Sequence, residues 1–325
     1  MVLEGNIEFS WVQEQDVDEI TALFSRVFGR PMVPEYYRWQ FRHQEYGGFR
    51  SACARVGGRL VSHAGFSPRE WLIGGSVGLV MAKHTSMTHP GSVGLGLYSR
   101  LLEWANPRLA ETGADMILSW PNRFSHPMQR NRTSYEDVYQ IPMMKRMPGG
   151  DPSSTPSSIP LTETRLFNFD EWGDLAGKTP GRCLFSNVRT LRYLTWRYTQ
   201  RPDTTYYAIE NRRGGSVRSV VVFKLYPARE PHVINVLEWL RDPESLEADH
   251  ALDQMEDLAA TMGLPVTLWH NVHDYPRHHV LERRGYVPSD PIFYFGVIPL
   301  SDSEKLGAYR DWRNWYMTMG DVDVF

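Results

Sequence analysis

Two groups of residues in this chain have the types and spacing to do chemistry. The first spans 81–102, MAKHTSMTHPGSVGLGLYSRLL, a strand-like stretch that passes a His89-Pro90 corner and a Gly-rich turn into an amphipathic helix. Backbone N–H groups at such a helix start lack intrahelical acceptors and sit at the positive end of the helix dipole, where a pyrophosphate can be received. Gly91, Gly94 and Gly96 let the main chain approach an anion closely. The second group is Tyr36, Tyr37, Trp39 and Phe41, alternating with Arg38 and Arg42 on a helical stretch and echoed by Trp196 and Arg197. Such a stripe either packs as core or walls a site in which rings stack on a nucleotide base and Arg pairs its diphosphate. His270, His273, His278 and His279 match no metal-ligand spacing and read as loop and surface residues, so no metal is expected. Asp321 and Asp323 either anchor a substrate amine or belong to a solvated tail.

The elements that must position these groups follow from hydrophobic period and turn chemistry. Residues 16–28 place Val17, Ile20, Leu23, Phe24 and Val27 on one helical face. Strands over 51–56 and 59–66 meet at Gly57-Gly58, and strands over 71–73 and 77–88 meet at Gly74-Gly75, both two-residue hairpin signals. The helix after the Gly-rich turn buries Leu97, Leu101, Leu102, Trp104 and Ala105, and Gly113 stops it. A strand over 115–120, a short helix near 125–133 and a strand over 138–144 complete this half. Strict alternation along the fourth strand puts His84, Ser86 and Thr88 on one face and Lys83, Thr85 and Met87 on the other, unless a bulge intervenes.

The same order recurs after a Pro/Gly/Ser-rich crossing at 148–160. Tyr37-Arg38-Trp39 is echoed by Leu194-Thr195-Trp196, Leu118-Ser119-Trp120 by Thr267-Leu268-Trp269, and Ser134-Tyr135 by Gly285-Tyr286. A near-constant offset in one order argues for duplication, with domains over 1–147 and 161–325. The second copy keeps its strands and its helix over 246–262, yet the turn before that helix, Arg241-Asp242-Pro243-Glu244-Ser245, has no glycine and carries acids that repel an anion.

Composition narrows the class. At 325 residues, 42% hydrophobic and with 11 Trp, 16 Tyr and 14 Phe, the chain can build two cores and an aromatic-walled pocket. A net charge of −3 without a basic block argues against nucleic acid. No apolar run approaches a membrane span, the N-terminal stretch lacks a signal-like apolar segment, and Cys53 and Cys183 lack metal or redox spacing. A reduced cytoplasmic protein, monomer or homodimer, away from membranes is expected.

Thr88-His89-Pro90, then Gly94-x-Gly96, then Leu101-Leu102, resembles the acyl-CoA loop of the GNAT N-acyltransferase superfamily. The resemblance implies an α+β fold of two tandem GNAT-like domains, each a mostly antiparallel mixed sheet flanked by helices. It departs from the family pattern at Val93, which fills the usual Arg/Gln slot, and at Tyr98, which fills the last small slot. The resemblance implies that the amides of Val93, Gly94, Leu95, Gly96, Leu97 and Tyr98 cradle the CoA pyrophosphate, with Arg100 or another cation replacing the missing charge. It places pantetheine along the strand ending in Ser86-Met87-Thr88, with Asn122 on a pantetheine amide and Ser125 beside it; capping of the next helix by Asn122 or Ser125 is the plain alternative. His84 is the expected base, against a plain strand histidine; His63 is its expected neighbour across the sheet, against a core polar contact; His89 is a turn residue. The usual tyrosine acid is absent, since the position counted back from Tyr135 is Arg130, which leaves Tyr135 or Tyr98 to serve the leaving thiolate, or the thiolate to leave unaided. Tandem members with one working half that acylate nucleotide-linked amino sugars are the nearest look-alikes, so acetyl-CoA or another acyl-CoA and a dTDP- or UDP-linked amino sugar are implied, with Tyr37, Arg38, Trp39 and Trp196 on the acceptor. Another small amine (an antibiotic, amino acid or peptide) and a non-catalytic ligand-binding scaffold remain the alternatives.

Overall fold

Paired glycines set the frame of the first sheet. Strands β1 (Ile7–Trp11), β2 (Ala52–Val56), β3 (Arg59–Ile73) and β4 (Ser76–Thr88) are linked by antiparallel pairing in that order. Gly57-Gly58 and Gly74-Gly75, all at positive φ, turn β2 into β3 and β3 into β4. The sequence predicts two strands, over 59–66 and 71–73, in place of β3. The strand is continuous: Pro68 pairs with Met81 beyond the last β2 partner, Ala64, where β2 makes no demand on the missing N–H.

The computed structural model describes residues 6–149, 159–226, 232–242, 244–269, 275–302 and 304–322. They divide into two compact units, Met1–Tyr139 with Tyr294–Arg310, and Gln140–Phe293 with Asp311–Phe325. In the first unit, helices α1 (Val17–Phe28) and α2 (Pro34–Phe41) cover one face of the sheet, and their core joins Val17, Ile20, Phe24, Tyr37 and Phe41 to Cys53 and Met87. Helix α3 (Leu97–Ala110) packs Leu101, Leu102 and Ala105 against Ala54, Phe66, Met81 and Ile117 in a second cluster. Each such buried side chain contributes about 1.5–3 kcal/mol. Strand β5 (Ala114–Ser119) runs parallel to β4, and a short helix, α4 (His126–Arg132), follows it.

In the second unit, β7 (Tyr207–Arg213), β8 (Ser216–Tyr226) and β9 (Val233–Arg241) form the meander, and β10 (Val266–Trp269) joins β9 in parallel after α6 (His250–Met262). Helix α5 (Leu191–Tyr198) carries the echoed aromatic-Arg motif. The order predicted for each copy is thus present, but the closing strands are exchanged. Residues 143–146 at the end of β6 (Glu136–Arg146) pair with β10, and residues 296–299 at the end of β11 (Val287–Pro299) pair with β5. The sequence assigns both strands to their own copies, since period and composition mark a strand without naming its partner. The expected crossing at 148–160 lies mostly outside the described residues.

A bulge in β4 decides which side chains reach the site. Gly65 pairs with His84 and His63 with Met87, so β4 carries one extra residue here. Thr85, in that bulge, is the one non-glycine residue at positive φ among those described, at 49°. His63 Nδ1 lies 2.9 Å from the Thr85 carbonyl and Nε2 lies 2.8 Å from the Tyr37 hydroxyl. A carbonyl only accepts, so Nδ1 carries the proton and Tyr37 donates to Nε2. Burial pushes the His63 pKa down to about 4, keeping the ring neutral. The bulge corrects the alternating reading: Lys83 and Ser86 both approach Tyr98 of α3, while Met87 joins the α1–α2 core and His84 stacks on Trp120 at 5.7 Å.

No described helix is long and apolar enough to cross a membrane, and both cysteines are free.

Candidate active site

Strands β4 and β5 pair as far as Lys83 and Ser119, after which β4 continues without its neighbour. A cleft of about 650 Å³ opens beside this separation. Ser86, Met87 and Thr88 of β4 form one wall, the turn and first residues of α3 another, and Ser125, Met128, Gln129 and Arg132 on and beside α4 the third. The turn is built by His89, whose Nδ1 accepts from Gly91 N–H at 3.1 Å, which makes this histidine a cap for the turn as expected. Gly94 at φ 90° and Gly96 at φ 65° then swing the chain into α3.

The turn leaves its donors open. Ser92 N–H bonds His89 O at 2.8 Å, while Val93 and Leu95 reach Pro90 O and Ser92 O only at 3.5 Å. Among the described residues, the N–H groups of Gly94, Gly96, Leu97, Tyr98 and Ser99 have no protein acceptor. Five such donors at one helix start suit a pyrophosphate. Arg100 and Arg132 add positive charge to the wall, against one carboxylate, Glu103. Arg132 escapes a sequence reading because it sits a helix away from the loop.

Of the residues predicted to hold CoA, Met87, Thr88, Val93, Gly94, Gly96, Leu97, Tyr98 and Ser125 line the cleft, and Leu95 and Asn122 do not. The Asn122 side chain is committed to capping: its Oδ1 accepts from the N–H groups of Phe124 and Ser125 at 3.0 and 2.9 Å. Tyr98 faces the cleft and shares a 2.6 Å hydrogen bond with Ser86 Oγ, and burial raises its phenol pKa.

The two expected catalytic residues are elsewhere. His84 is buried against Trp120, on the strand face opposite Lys83, and Tyr135 packs in the α3 core with its ring against Gly296. Burial, with the Asp137 charge adding to it, raises the Tyr135 pKa further from the range of an acid. Neither lines the cleft, since the bulge redirects one and the core claims the other. Gln129 lines the cleft, and Lys83 lies behind it. Lys83 Nζ donates to Gln129 Oε1 at 2.7 Å, and Ser119 Oγ donates to the same oxygen at 2.9 Å. Sequence reasoning misses both, because alternation turned Lys83 away from the loop helix and a lone Gln in a polar helix gives no signal.

The aromatic-Arg stripe is mainly structural. Tyr37 is fully buried against His63 and Phe41, and Arg38 Nε donates to Glu14 Oε1 at 2.7 Å. Trp39 stays half-buried beside Tyr36 at 5.5 Å. In the second unit, Trp196 is half-buried at 5.8 Å from Tyr193, and Arg197 is buried on the carbonyls of Gly320 and Val322. Asp321 is neither anchor nor tail: it is buried against Arg189 and Asn187. Asp323, His270 and His273 lie outside the described residues, while His278 pairs with Glu282. Among the described residues no cluster of three His, Cys, Asp or Glu side chains could hold a metal.

At α6 the helix start is closed by the protein itself. Ala251 N–H bonds Ser219 Oγ at 3.2 Å, Leu252 and Asp253 bond Asp249 O at 2.9 and 3.0 Å, and His250 bonds Glu247 O at 3.3 Å.

Comparison with known proteins agrees with this geometry. The model of the acetyltransferase (GNAT) domain family matches residues 8–133, the segment that contains α3 and its loop. No curated protein matches the chain in sequence. Among solved structures, a GCN5-related N-acetyltransferase from Anabaena variabilis is similar at a TM-score of 0.70 and 12% identity, over 91% of this chain and 73% of that one. A probable N-acyltransferase of unknown function from Enterococcus faecalis follows at 0.67 and 12%, over 93% and 74%. Saccharomyces cerevisiae N-myristoyltransferase with bound myristoyl-CoA is similar at 0.62 and 10%, over 91% and 83%. At such identities these likenesses speak for the fold, while the family model speaks for residues 8–133 alone. Residues 8–133, which carry α3 and its loop, are similar to the acetyltransferase (GNAT) domain family.

Proposed function

We propose that the protein is an acyl-CoA-dependent N-acyltransferase in which the first unit binds the thioester and passes its acyl group directly to a primary amine. The observation that carries this reading is the set of unbonded amides of Gly94, Gly96, Leu97, Tyr98 and Ser99 on the wall of the cleft. They receive the CoA pyrophosphate, and Arg100 and Arg132 supply the charge that Val93 does not. The open edge of Ser86-Met87-Thr88 offers main-chain groups to the pantetheine amides, which aims the thioester at the point where β4 and β5 part. Holding thioester and amine together there removes most of the entropic cost of their encounter. The second unit takes no CoA in this reading, because the amides at the start of α6 already have acceptors.

For the acceptor, a dTDP- or UDP-linked amino sugar is our leading candidate, on the resemblance to tandem family members; half-buried Trp39 of the first unit is its candidate stacking ring. The test is acetyl-CoA binding by thermal shift and calorimetry, followed by a screen of amino-sugar nucleotides, amino acids and aminoglycosides for release of free CoA. Stabilisation by acetyl-CoA with turnover on the sugar nucleotides is expected. Absence of any shift at saturating acetyl-CoA refutes the transferase, and turnover on another amine alone refutes the sugar.

A further inference from the structure

Directly behind the wall of the cleft lies a buried lysine to which the reading above gives no task. Lys83 pairs with Ser119 at the last step of the β4–β5 ladder, one residue before His84 and two before the bulge at Thr85. It is 4% exposed, yet Gln129, Tyr98 and Ser86, which surround its end of the strand, all line the cleft. Among the described residues its one hydrogen-bond partner is Gln129 Oε1, and no carboxylate is paired with it.

That partner count bears on its protonation. An ammonium carries three donors and wants an acceptor or counter-ion for each, whereas a neutral amine carries two and keeps a lone pair. One neutral acceptor in a buried setting suits the amine and opposes the ammonium. The groups facing Lys83 supply no charge: Tyr98 comes from α3, Gln129 from α4, Ser119 from β5, Ser86 from β4 and Phe66 from β3. Tyr98 titrates, as does Tyr135 in the same core, and burial raises both phenols and keeps them neutral. Burial alone brings Lys83 down to about 7 from an ordinary 10.5. Lys83 Nζ and Ser119 Oγ both donate to Gln129 Oε1, so one amide oxygen ties β4 and β5 to α4.

We propose that Lys83 is the general base of the acyl transfer, with Gln129 as the positioning residue that holds its amine under the reacting carbonyl. This rests on the acyl-CoA reading above. The amine nitrogen of the acceptor forms the new C–N bond to the thioester carbonyl carbon and the C–S bond breaks. The surplus proton of the attacking nitrogen passes to Lys83 Nζ and from there to the departing sulfur, so the base is regenerated and no further reactant is needed.

The whole chain is labelled with trace radioactive acetic anhydride over a range of pH, and the Lys83 peptide is isolated. The expected midpoint is near 7, with protection when acetyl-CoA is present. A midpoint near that of surface lysines, or labelling indifferent to acetyl-CoA, overturns the proposal. A stable acetyl group on Lys83 after incubation with acetyl-CoA alone also overturns it, since the residue would then be a nucleophile. In a second arm, Lys83→Met should keep the acetyl-CoA thermal shift and lose about 100-fold or more in CoA release with hydroxylamine as acceptor. Gln129→Leu should displace the pH midpoint of that rate while leaving acetyl-CoA affinity near wild type. A shift that persists with unchanged Lys83→Met turnover defeats the base alone. A wild type that shows no shift defeats the parent reading, and the base with it.

Discussion

His63 Nδ1 donates to the carbonyl of Thr85 at 2.9 Å, so an imidazole on β3 holds the bulge of β4 in place. The strained residue and its clamp come from different strands, and the clamp works only while the ring is neutral on Nε2, where Tyr37 donates. The folded pKa near 4 lies below the unfolded value of about 6.5, so the unfolded chain takes up the proton first. Stability linked to His63 is therefore intact above about pH 6.5 and falls as pH drops from there towards 4, by about 3 kcal/mol in all. Urea unfolding of wild type and His63→Gln over this range isolates the effect: the difference between them should shrink as the solution is acidified. A constant difference would refute it.

Gly65 is the close-approach point of the same strand. A Cβ there would come within 2.5 Å of the Phe41 ring and 2.9 Å of the His84 carbonyl. Gly65→Ala should cost roughly 1–3 kcal/mol. Adding Phe41→Leu should recover part of that loss, a non-additivity that chemical denaturation of both single variants and the double variant would reveal.

At the loop, Val93 is 71% exposed and lines the cleft, so charge can be changed there without disturbing a core. Val93→Arg should tighten acetyl-CoA by about tenfold or more, the equivalent of one charge-assisted hydrogen bond. Val93→Glu should weaken it by a similar factor. Both should melt within a degree or two of wild type by the ordinary behaviour of surface changes, and calorimetry at two salt concentrations should show the ionic part.

In the second unit, Arg189 is buried between Glu238 at 2.9 Å and Asp321 at 3.2 Å, with the Thr318 hydroxyl at 2.9 Å. Arg189→Met leaves two carboxylates buried beside no cation and should cost roughly 3–5 kcal/mol. The expected readout is a lower unfolding midpoint in denaturant, with the loss reduced when Glu238→Gln is added. If Arg189→Met alone melts like wild type, the cluster contributes nothing to stability.

Much of the fold was legible in the chain. Gly57-Gly58 and Gly74-Gly75 make the hairpins they predict, Val17, Ile20, Leu23 and Phe24 bury the face they predict, and Gly113 lies just past α3. The cleft wall was legible from the His-Pro corner and the glycines because turn chemistry is local. What failed depended on events that period cannot encode. One inserted residue at Thr85 reverses the faces of every side chain beyond it, which removed His84 from the cleft and hid Lys83. The aromatic stripe on α2 looks alike whether it packs or binds, and Tyr37 packs.

The exchange of closing strands has a practical consequence for dissecting the protein. A cut in the 148–160 crossing would leave the amino-terminal fragment carrying 143–146, whose partner β10 it lacks, and lacking 296–299, the partner of β5. Each fragment would present an open ladder of unpaired main-chain donors and acceptors to the medium. Half-length pieces should therefore come out of expression as aggregates, and rejoin into soluble material when both are made in the same cell.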